Sequence, residues 1–333
     1  MTQEVTNRLK QLREWIERDL GITDYSLLAA SEDASFRRYF RLSYNGESRI
    51  IMDAPPERED CRPYLDICGR LRACKVNAPL VEAQDLEAGF LLLTDFGVHL
   101  YLDVINAENA DTLYGDAIAA LLRMQADADS SGLPLYDSTL LQAEMGLFRD
   151  WLLGRHLQRK LDAGLTKDLT GCFAALEQSA LEQPRRFVHR DYHSRNLMSL
   201  ERESPGILDF QDAVLGPLTY DLVSLLKDCY IKWPADQVLQ WVGSYYGLLD
   251  ESVRGAIAEP DFVRAFELMG VQRHLKAAGI FCRLNHRDGK PGYLADIPRT
   301  LSYIVDLSPR YNELGFLVRL IEECCLPQLE LQR

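Results

Sequence analysis

The sequence contains no cysteine pair of the C-x-x-C type, although it has eight cysteines among its 333 residues. Their scattered spacing excludes the usual zinc and disulfide frameworks and is typical of buried thiols in a reducing compartment. No apolar stretch is long enough to span a bilayer, and the N-terminus has no signal-peptide core. We therefore expect a cytoplasmic protein with no membrane association.

Positive charge is in deficit, since 37 lysines and arginines stand against 50 aspartates and glutamates, and the net charge is −13. This balance argues against a nucleic-acid partner, because phosphate contacts require a positively charged surface. Repeats and low-complexity tracts are also absent. The composition suits an enzyme that acts on a small molecule, and it indicates no obligate protein partner.

A chain of this length exceeds one simple core, so two lobes are expected. The first part has helical spacing over residues 5–20, and Asn45-Gly46 predicts a hairpin turn. Strands are predicted at 26–30, 38–44, 48–52, 80–83 and 89–93, and a helix at 63–73. Further helices are predicted at 113–126, 140–161, 218–228, 238–249, 263–284 and 298–325. This order predicts an α+β fold, with a small antiparallel-sheet N-lobe over residues 1–95 and a larger, mostly helical C-lobe over residues 96–333.

One ordered motif carries the chemistry: residues 189–196 read His-Arg-Asp-Tyr-His-Ser-Arg-Asn, and Ile-Leu-Asp-Phe follows at 207–210. The flanking apolar runs predict strand, loop and strand, with Asp191 and Asn196 on the loop and Asp209 at a strand end. Kinase catalytic centres use this order. The first Asp receives or orients a hydroxyl proton, and the Asn and the second Asp hold Mg²⁺ against the nucleotide phosphates. Unrelated surface residues would rarely fall in this order, so we favour the catalytic interpretation.

A second Asp-Phe pair occurs in Thr-Asp-Phe-Gly at 94–97, but it precedes the catalytic motif, whereas the metal-binding aspartate must follow it. We interpret Asp95 as a turn residue after an apolar run, with Gly97 relaxing the backbone. Such a segment would suit a hinge between two lobes, and we assign Leu93 and Asp95 to the nucleotide site.

The chain resembles the aminoglycoside phosphotransferase and choline kinase family over most of its length. The resemblance lies in HRDYHSRNLM at 189–198, ILDFQDAVLGPLTYDLVSLLKD at 207–228 and ASFRRYFRL at 34–42. It implies a protein-kinase-like bilobal fold and transfer of a phosphoryl group from ATP, with Mg²⁺, to a small molecule. His193, the second histidine of the loop, is typical of the small-molecule kinases in this group rather than of protein kinases.

A closer resemblance, to the anomeric amino-sugar kinases of bacteria, rests on MDAPPE at 52–57 and QRHLKAAGIFCRLNHRDGKPGYLADIPR at 272–299. It implies phosphorylation of the 1-hydroxyl of N-acetylmuramate and N-acetylglucosamine in peptidoglycan recycling. An aminoglycoside, choline or other small-molecule kinase and a nucleotide-binding pseudoenzyme are the alternatives. A protein kinase is disfavoured, because no Ala-Pro-Glu segment follows Asp209.

Carried over position by position, the resemblance makes Asp191 the catalytic base and Asn196 and Asp209 the Mg²⁺ ligands. It makes His189 a residue that orders the loop, and Asp221 one that buttresses the loop without taking part in catalysis. Four further residues are assigned to the substrate site: His193, Asp212, Arg273 and Arg283. For Asp212, a solvated carboxylate in a turn is an equal alternative.

The chain lacks the strand lysine that grips the α- and β-phosphates in this family, because its expected place in residues 49–53 has no lysine and Met52 is the closest match. Either an arginine substitutes for it, or the metal and the backbone hold the phosphates. Strand alternation puts Arg37 and Arg41 on one face, and we assign Ser35, Arg37 and Arg41 to the nucleotide site. A solvated strand face is the alternative for at least one of these arginines.

Basic residues are concentrated near one stripe of the helical region that begins at residue 263: Arg273, Lys276, Arg283 and Arg287. A solvated helix face explains such a stripe more often than not. The functional alternative is a wall of the substrate site that attracts an anion, such as the lactyl carboxylate of N-acetylmuramate.

Overall fold

The computed structural model of the protein describes residues 3–32, 36–307 and 310–331, and within them the chain forms two compact units. Met1–His99 and Met198–Asp212 make up the first unit, and Leu100–Leu197 and Ala213–Arg333 the second. The regular elements before His99 are α1 (Gln3–Arg18), β1 (Ser26–Glu32), β2 (Arg38–Tyr44), β3 (Glu47–Asp53), α2 (Cys61–Ala73), β4 (Val81–Asp85) and β5 (Phe90–Thr94).

The rest of the chain is mostly helical. Its elements are α3 (Tyr101–Val104), α4 (Ala110–Asp127), α5 (Ser138–Leu147), α6 (Ala163–Leu181), β6 (Arg185–Val188), β7 (Leu197–Met198), β8 (Gly206–Ile207), β9 (Val214–Pro217), α7 (Tyr220–Leu226), α8 (Ala235–Leu248), α9 (Glu251–Ala256), α10 (Glu259–Asp288), α11 (Ile297–Val305), α12 (Gly315–Leu320) and α13 (Leu326–Leu331). Two π-helical segments, Phe148–His156 and Ile321–Cys325, and two 3₁₀ segments, Pro291–Asp296 and Asn312–Leu314, complete them. Within the described ranges, no helix combines the length and the apolar character needed to cross a membrane.

The first unit is built on a five-stranded antiparallel sheet in the order β1-β2-β3-β5-β4. Asn45 and Gly46 both have positive φ, 51° and 78°, as a two-residue hairpin turn between β2 and β3 requires. The predicted hairpin is therefore confirmed. Helix α1 packs its apolar stripe against the sheet. The resulting core is formed by Leu12, Trp15, Ile16, Leu42, Ile51, Phe90 and Leu92.

One buried carboxylate fastens α1 to this sheet. Asp53, at the end of β3, is fully buried and forms ion pairs with Arg8 of α1 and Arg38 of β2. Arg8 also donates a hydrogen bond to the Ala88 carbonyl oxygen at 2.8 Å and lies over the Phe90 ring. Because a buried charge must be paired, these two arginines are structural partners of the sheet.

The segment Met198–Asp212 belongs to the first unit, whereas the sequence-based division at residue 95 placed it in the C-lobe. The Ile207 N–H donates to the Asn77 carbonyl oxygen at 2.8 Å. Phe210 lies against Tyr64 of α2, with 4.8 Å between the ring centroids. Contacts between residues so far apart in the chain leave no periodic signal in the sequence, and they are the reason for the difference.

The second unit is arranged around α10, which has 30 residues. This helix contacts α5, α6, α7, α11 and the π-helical segment that follows α5. Most of its side chains from Phe262 to Leu284 are buried, and they include the polar residues Gln272, Arg273 and Lys276. Strands β6 and β9 pair antiparallel in the same unit, and β6 leads directly into the predicted catalytic loop.

The helices of the second unit differ most from the prediction in three places, besides the short α3 and α9, which the prediction also omits. The prediction omits α6, although its buried residues have helical spacing and Asp162 caps its N-terminus. The predicted helix 140–161 changes to π-helical geometry at Phe148, and the predicted helix 298–325 is divided among several short helices. Apolar periodicity reports which face is buried, and it does not show where a helix changes geometry or ends.

Gly279 lies where α10 meets the end of α5, at a distance that leaves no room for a side chain. A Cβ atom there would lie 2.3 Å from the Leu147 carbonyl carbon and 2.5 Å from its oxygen. Gly279→Ala should therefore lower the free energy of unfolding by about 1–3 kcal/mol, measured from the urea midpoint. Gly171→Ala in α6 is the matched control, because no atom beyond its chain neighbours and the backbone of its own helix lies within 4 Å of its Cβ position. It should be neutral or stabilise by up to about 1 kcal/mol, and equal losses in both variants would contradict the close approach.

Candidate active site

The loop that carries the predicted motif follows β6, and one buried carboxylate holds its beginning. Asp221, in the first turn of α7, accepts hydrogen bonds from the backbone N–H of His189 at 2.6 Å and of Arg190 at 3.0 Å. Arg190 is thereby held at φ 78°, a conformation that is costly for a residue with a side chain. Burial raises the pKa of Asp221 to about 7, although both N–H donors lower it. Asp221 thus occupies the buttressing position that the resemblance implies.

A second buried carboxylate, which the sequence analysis missed, holds the middle of the loop. Asp228, just after α7, accepts hydrogen bonds from the Ser194 N–H at 3.0 Å and from the Ser194 hydroxyl. It also accepts one from the Tyr230 N–H at 2.9 Å. The signal in the sequence was an acidic residue at the end of a mostly apolar helix, where a buried charge requires partners.

Hydrogen bonds within the loop bring Asp191, His193 and Asn196 together. The Asp191 carbonyl oxygen accepts from the His193 N–H at 3.1 Å and from Asn196 Nδ2 at 2.9 Å. The Asn196 N–H donates to the His193 carbonyl oxygen at 2.9 Å. Because the amide nitrogen of Asn196 is engaged within the loop, a metal ligand from this side chain would be its oxygen.

The Asp191 carboxylate is ionised in surroundings that disfavour charge. Burial raises its pKa, but the positive charge of Lys276 lowers it, and His193 and Arg273 add to that effect. The resulting pKa lies below the usual value for aspartate. At neutral pH the side chain is therefore a carboxylate that can accept a proton.

A third buried acid, Glu144 of α5, balances the cations around the loop. It forms ion pairs with Lys276 at 3.0 Å and with Arg190 at 2.7 Å, and it accepts a hydrogen bond from the Tyr136 hydroxyl. Lys276 Nζ also donates to the Tyr220 hydroxyl at 2.8 Å. Burial raises the pKa of Glu144, but the two cations outweigh that effect and lower it. Sequence reasoning missed Glu144, because periodicity shows a charged residue among apolar ones without showing its partners.

The basic stripe of α10 divides into a buried and an exposed half. Arg273 and Lys276 are only 6% and 8% exposed. In the described part of the chain, Arg273 reaches no carboxylate at ion-pair distance, and its Nη1 lies 3.9 Å from the Cys229 sulfur. Farther along the helix, burial and the neighbouring charge of Arg287 lower the pKa of Arg283. The solvated-face interpretation suits the exposed Arg287 and does not suit Arg273.

Several aromatic side chains lie beside the loop, and the sequence analysis did not predict them. The His193 and Tyr230 rings meet edge-on, with 5.6 Å between their centroids. The Arg195 guanidinium lies 3.8 Å from the Tyr230 centroid and 5.5 Å from that of Tyr293, on which Phe281 of α10 stacks. Burial lowers the pKa of His193. Aromatic faces with a few polar groups among them are the usual lining of a small-molecule site.

Of the metal and nucleotide residues predicted in the first unit, Arg37 and Asp209 lie near enough for their charges to interact. Asp209 follows β8 with φ 62°, a conformation that aspartate adopts more readily than most residues, and it accepts a hydrogen bond from Gln211 Nε2 at 2.7 Å. Arg37 forms an ion pair with Glu59 at 3.1 Å. Burial lowers the pKa of Arg37, but the acidic groups around it, which include Glu59, Asp209 and the exposed Asp212, raise it above its usual value.

Arg41 and Asp95 bind each other. Arg41 Nε lies 2.6 Å from an Asp95 carboxylate oxygen, and Arg41 Nη2 donates to the Gly97 carbonyl oxygen at 2.7 Å. Asp95 also accepts from the Gly97 N–H at 2.8 Å, which agrees with its interpretation as a turn residue. Burial raises the pKa of Asp95, but these hydrogen bonds lower it overall. Leu93 is buried on β5, and Ser35 lies outside the described residues.

The predicted magnesium ligands have suitable donor chemistry. The Asp209 carboxylate and the Asn196 amide oxygen are hard oxygen ligands of the kind that Mg²⁺ prefers. Among the residues that the structure describes, no three or more His, Cys, Asp or Glu side chains form a metal site by themselves. Mg²⁺ does not require such a group, because it usually keeps several waters and is held by one or two carboxylates together with substrate phosphates.

Comparison with known proteins decides the family. The family model for the phosphotransferase enzyme family matches residues 26–259. The chain belongs to the phosphotransferase enzyme family. Over 95% of its length this phosphotransferase is 47% identical to the N-acetylmuramate/N-acetylglucosamine kinase of Pseudomonas putida, 96% of which is covered. It is 44% identical to a protein of the same name from Pseudomonas aeruginosa, with 96% of this chain and 97% of that protein aligned.

The solved structures confirm the fold of the phosphotransferase. The GDP complex of aminoglycoside 2'-phosphotransferase-IIIa is similar to it with a TM-score of 0.63 over 89% of this chain and 99% of that chain, at 18% sequence identity. The predicted α+β fold of protein-kinase type, with an antiparallel sheet followed by a mostly helical remainder, is therefore confirmed.

Lys276 contributes the largest favourable charge at Asp191 of the phosphotransferase. Lys276→Met should raise the Asp191 pKa, because a cation stabilises the ionised form of an acid. If Asp191 is the proton acceptor, the acidic limb of the pH profile of kcat/KM for phosphoryl transfer should move to higher pH. Lys276→Arg, which keeps the charge, should restore the limb. Arg283→Met removes a cation of the same helix that lies beside Arg287 and not beside Asp191. It should leave the acidic limb of the pH profile in place. A limb unmoved by Lys276→Met would refute the electrostatic role.

Proposed function

We propose that the protein is an ATP-dependent kinase that phosphorylates the anomeric hydroxyl of N-acetylmuramate and N-acetylglucosamine. The observation that carries the proposal is the 47% identity, over 95% of the chain, to a protein named as a kinase of these two sugars. The motif residues Asp191, Asn196 and Asp209 are all present in the order that a kinase requires. A sugar 1-phosphate is a precursor of nucleotide sugars, so we place the reaction in peptidoglycan recycling and in the cytoplasm, where ATP is available.

In this proposal, Asp191 accepts the proton of the 1-hydroxyl as the γ-phosphoryl group leaves ATP. An anomeric hydroxyl is more acidic than an ordinary alcohol, so a carboxylate is an adequate acceptor. The lowered pKa of Asp191 keeps the side chain ionised until the proton arrives. Asp221 and Asp228 contribute by fixing the loop, so that the carboxylate is already in place when the sugar binds.

Asn196 and Asp209 are the residues to which we assign Mg²⁺, with one amide oxygen and one carboxylate as ligands. When bound, the ion neutralises charge on the phosphate oxygens during transfer. The assignment is supported by the order of the motif and by the donor chemistry of the two side chains. We assign no further role to Asn196 and Asp209, because phosphoryl transfer depends mainly on positioning and charge.

The proposal is tested by Mg·ATP turnover with five acceptors: N-acetylmuramate, N-acetylglucosamine, glucose, choline and kanamycin. We expect turnover with the two N-acetylated sugars and a product that is no longer a reducing sugar. The 1-deoxy analogue of N-acetylglucosamine keeps the other hydroxyls and should not react. Preference for choline or kanamycin would replace the amino-sugar assignment, and reaction of the 1-deoxy sugar would move the transfer to another hydroxyl.

Variants at the motif separate catalysis from folding. Asp191→Asn should lower kcat by about 10²–10⁴-fold with the fold intact, because it removes the proton acceptor. Asp209→Ala should abolish Mg²⁺-dependent turnover, since an anionic oxygen ligand is lost. Asp95→Ala is the matched change in the other Asp-Phe pair. If it caused the same loss as Asp209→Ala in a folded protein, our choice between the two pairs would be wrong.

The carboxylate of N-acetylmuramate requires a cation, and we propose Arg273 rather than Arg283 for that role. Arg273 is buried and lacks a carboxylate partner among the described residues, and its charge acts on Asp191. A buried cation without a carboxylate partner is expensive unless a ligand completes its coordination. Arg283 is only half-buried and lies beside another arginine, although its Nε is buried and has no hydrogen-bond partner among the described residues.

Arg273→Met should therefore lower kcat/KM for N-acetylmuramate at least tenfold more than for N-acetylglucosamine, because the loss of a buried charged contact costs about 2–5 kcal/mol. Arg283→Met is the matched control and should leave the ratio of the two kcat/KM values unchanged. Equal losses on both sugars in Arg273→Met would mean that this residue acts through Asp191 or the fold and does not bind the lactyl carboxylate.

A further inference from the structure

Strand β3 has no cation to offer to a nucleotide phosphate in the position where the family has a lysine. Met52 is fully buried there. Its neighbour Asp53 is neutralised by Arg8 and Arg38, both of which are bound to that carboxylate. Arg49, at the other end of the strand, pairs with acids of the same sheet. If a side chain of the first unit grips the phosphates, it must come from another segment.

Arg37, in the segment just before β2, has a different setting. Its Nη2 lies 3.1 Å from Glu59 Oε2, and the two side chains are only 10% and 15% exposed. Glu59 also accepts a hydrogen bond from the Phe36 N–H at 3.3 Å. It therefore holds both the backbone and the guanidinium of this segment. Glu59 directly precedes Asp60, the residue that caps α2, so the pair is anchored to the beginning of a helix.

The pair lies close to the Asp-Phe segment that follows β8. Tyr64, in the first turn of α2, lies against Phe210 with 4.8 Å between ring centroids, and Phe210 directly follows Asp209. The charges of Asp209 and Asp212 act on Arg37. Protein kinases place a lysine–glutamate pair beside the aspartate of their Asp-Phe motif. The same set of charges occurs here, with the cation moved from β3 to the segment before β2.

We propose that Arg37, oriented by Glu59, binds the α- and β-phosphates of the nucleotide in place of the absent strand lysine. The inference deepens the proposed kinase function and rests on it, because it requires a bound nucleotide. A guanidinium has five N–H donors in a planar fork, enough to bind a glutamate and a pair of phosphate oxygens together. Arg41 is the less suitable candidate, because it pairs with Asp95, whereas the charges of Asp209 and Asp212 act on Arg37.

The test compares the binding of Mg·ATP with that of adenosine, which lacks the phosphates, by calorimetry on the full chain. Arg37→Met should weaken ATP binding by about ten- to a hundredfold, the equivalent of one charge-assisted contact, and leave adenosine binding unchanged. Arg37→Lys should recover part of the loss, because it keeps the charge and loses the fork. Arg49→Met is the matched control on the same sheet and should leave the binding of both ligands unchanged.

Glu59→Gln separates orientation from charge, because it keeps Arg37 and weakens its anchor. It should weaken ATP binding less than Arg37→Met does, and Glu59→Asp should recover part of the loss. Equal losses of ATP and adenosine affinity in Arg37→Met, or no loss of either, would overturn the assignment. If Arg37→Met does not fold, unchanged ATP affinity in both Arg37→Lys and Glu59→Gln would overturn it.

The binding measurement needs no phosphoryl acceptor, so it can fail or succeed separately from the sugar assay. A wild-type protein that binds Mg·ATP and phosphorylates none of the sugars would refute the proposed function and leave the role of Arg37 standing. A wild-type protein that phosphorylates the sugars, with unchanged ATP affinity in Arg37→Met, would do the reverse.

Discussion

The buried ion pairs that Glu144 forms with Lys276 of α10 and with Arg190 of the loop are the interactions on which the surroundings of Asp191 depend. Removing any of these ions from water costs several kcal/mol, so no one of them could be buried alone. Glu144 offsets the cost by pairing with Lys276 and Arg190. The charges thus alternate in sign from one element to the next: negative at Glu144 of α5, positive at Lys276 of α10 and negative at Asp191 of the loop. The central helix of the unit is accordingly a source of buried charge as well as of apolar surface.

The loop contains a strained backbone conformation, and hydrogen bonds to two carboxylates hold it in place. The left-handed backbone at Arg190 costs about 1–3 kcal/mol. A hydrogen bond from a backbone N–H to a carboxyl oxygen returns about 0.5–1.5 kcal/mol, and more where the acceptor is charged. Asp221 accepts two such bonds at the start of the loop, and Asp228 accepts bonds from Ser194 in its middle. The bonds therefore offset the strain at Arg190 and hold the loop at its beginning and in its middle.

The order of the motif was sufficient to predict a loop after a strand that carries Asp191 and Asn196, and the alternation of apolar residues was sufficient for the sheet and most helices. Both signals are local, because they depend on spacing along the chain. The sequence analysis missed Glu144 and Asp228 because their roles arise from partners that lie far away in the sequence. The residue type alone does not distinguish a buried acid from an exposed one. The roles assigned to Asp191, Asn196 and Asp209 remain predictions, since they concern ligands rather than the fold.

The path of the chain between the two units has a consequence for its synthesis. The chain passes from one unit to the other at His99, at Leu197 and again at Asp212. The sheet is complete by Thr94, yet the segment that contacts Asn77 and Tyr64 emerges from the ribosome only after a large part of the second unit has been made. The first unit therefore cannot finish folding as an independent N-terminal domain. A nascent chain or a fragment that stops near His99 would contain the sheet and the Arg37–Glu59 pair without Asp209. Until Phe210 is made, the side of α2 that carries Tyr64 would remain exposed to solvent.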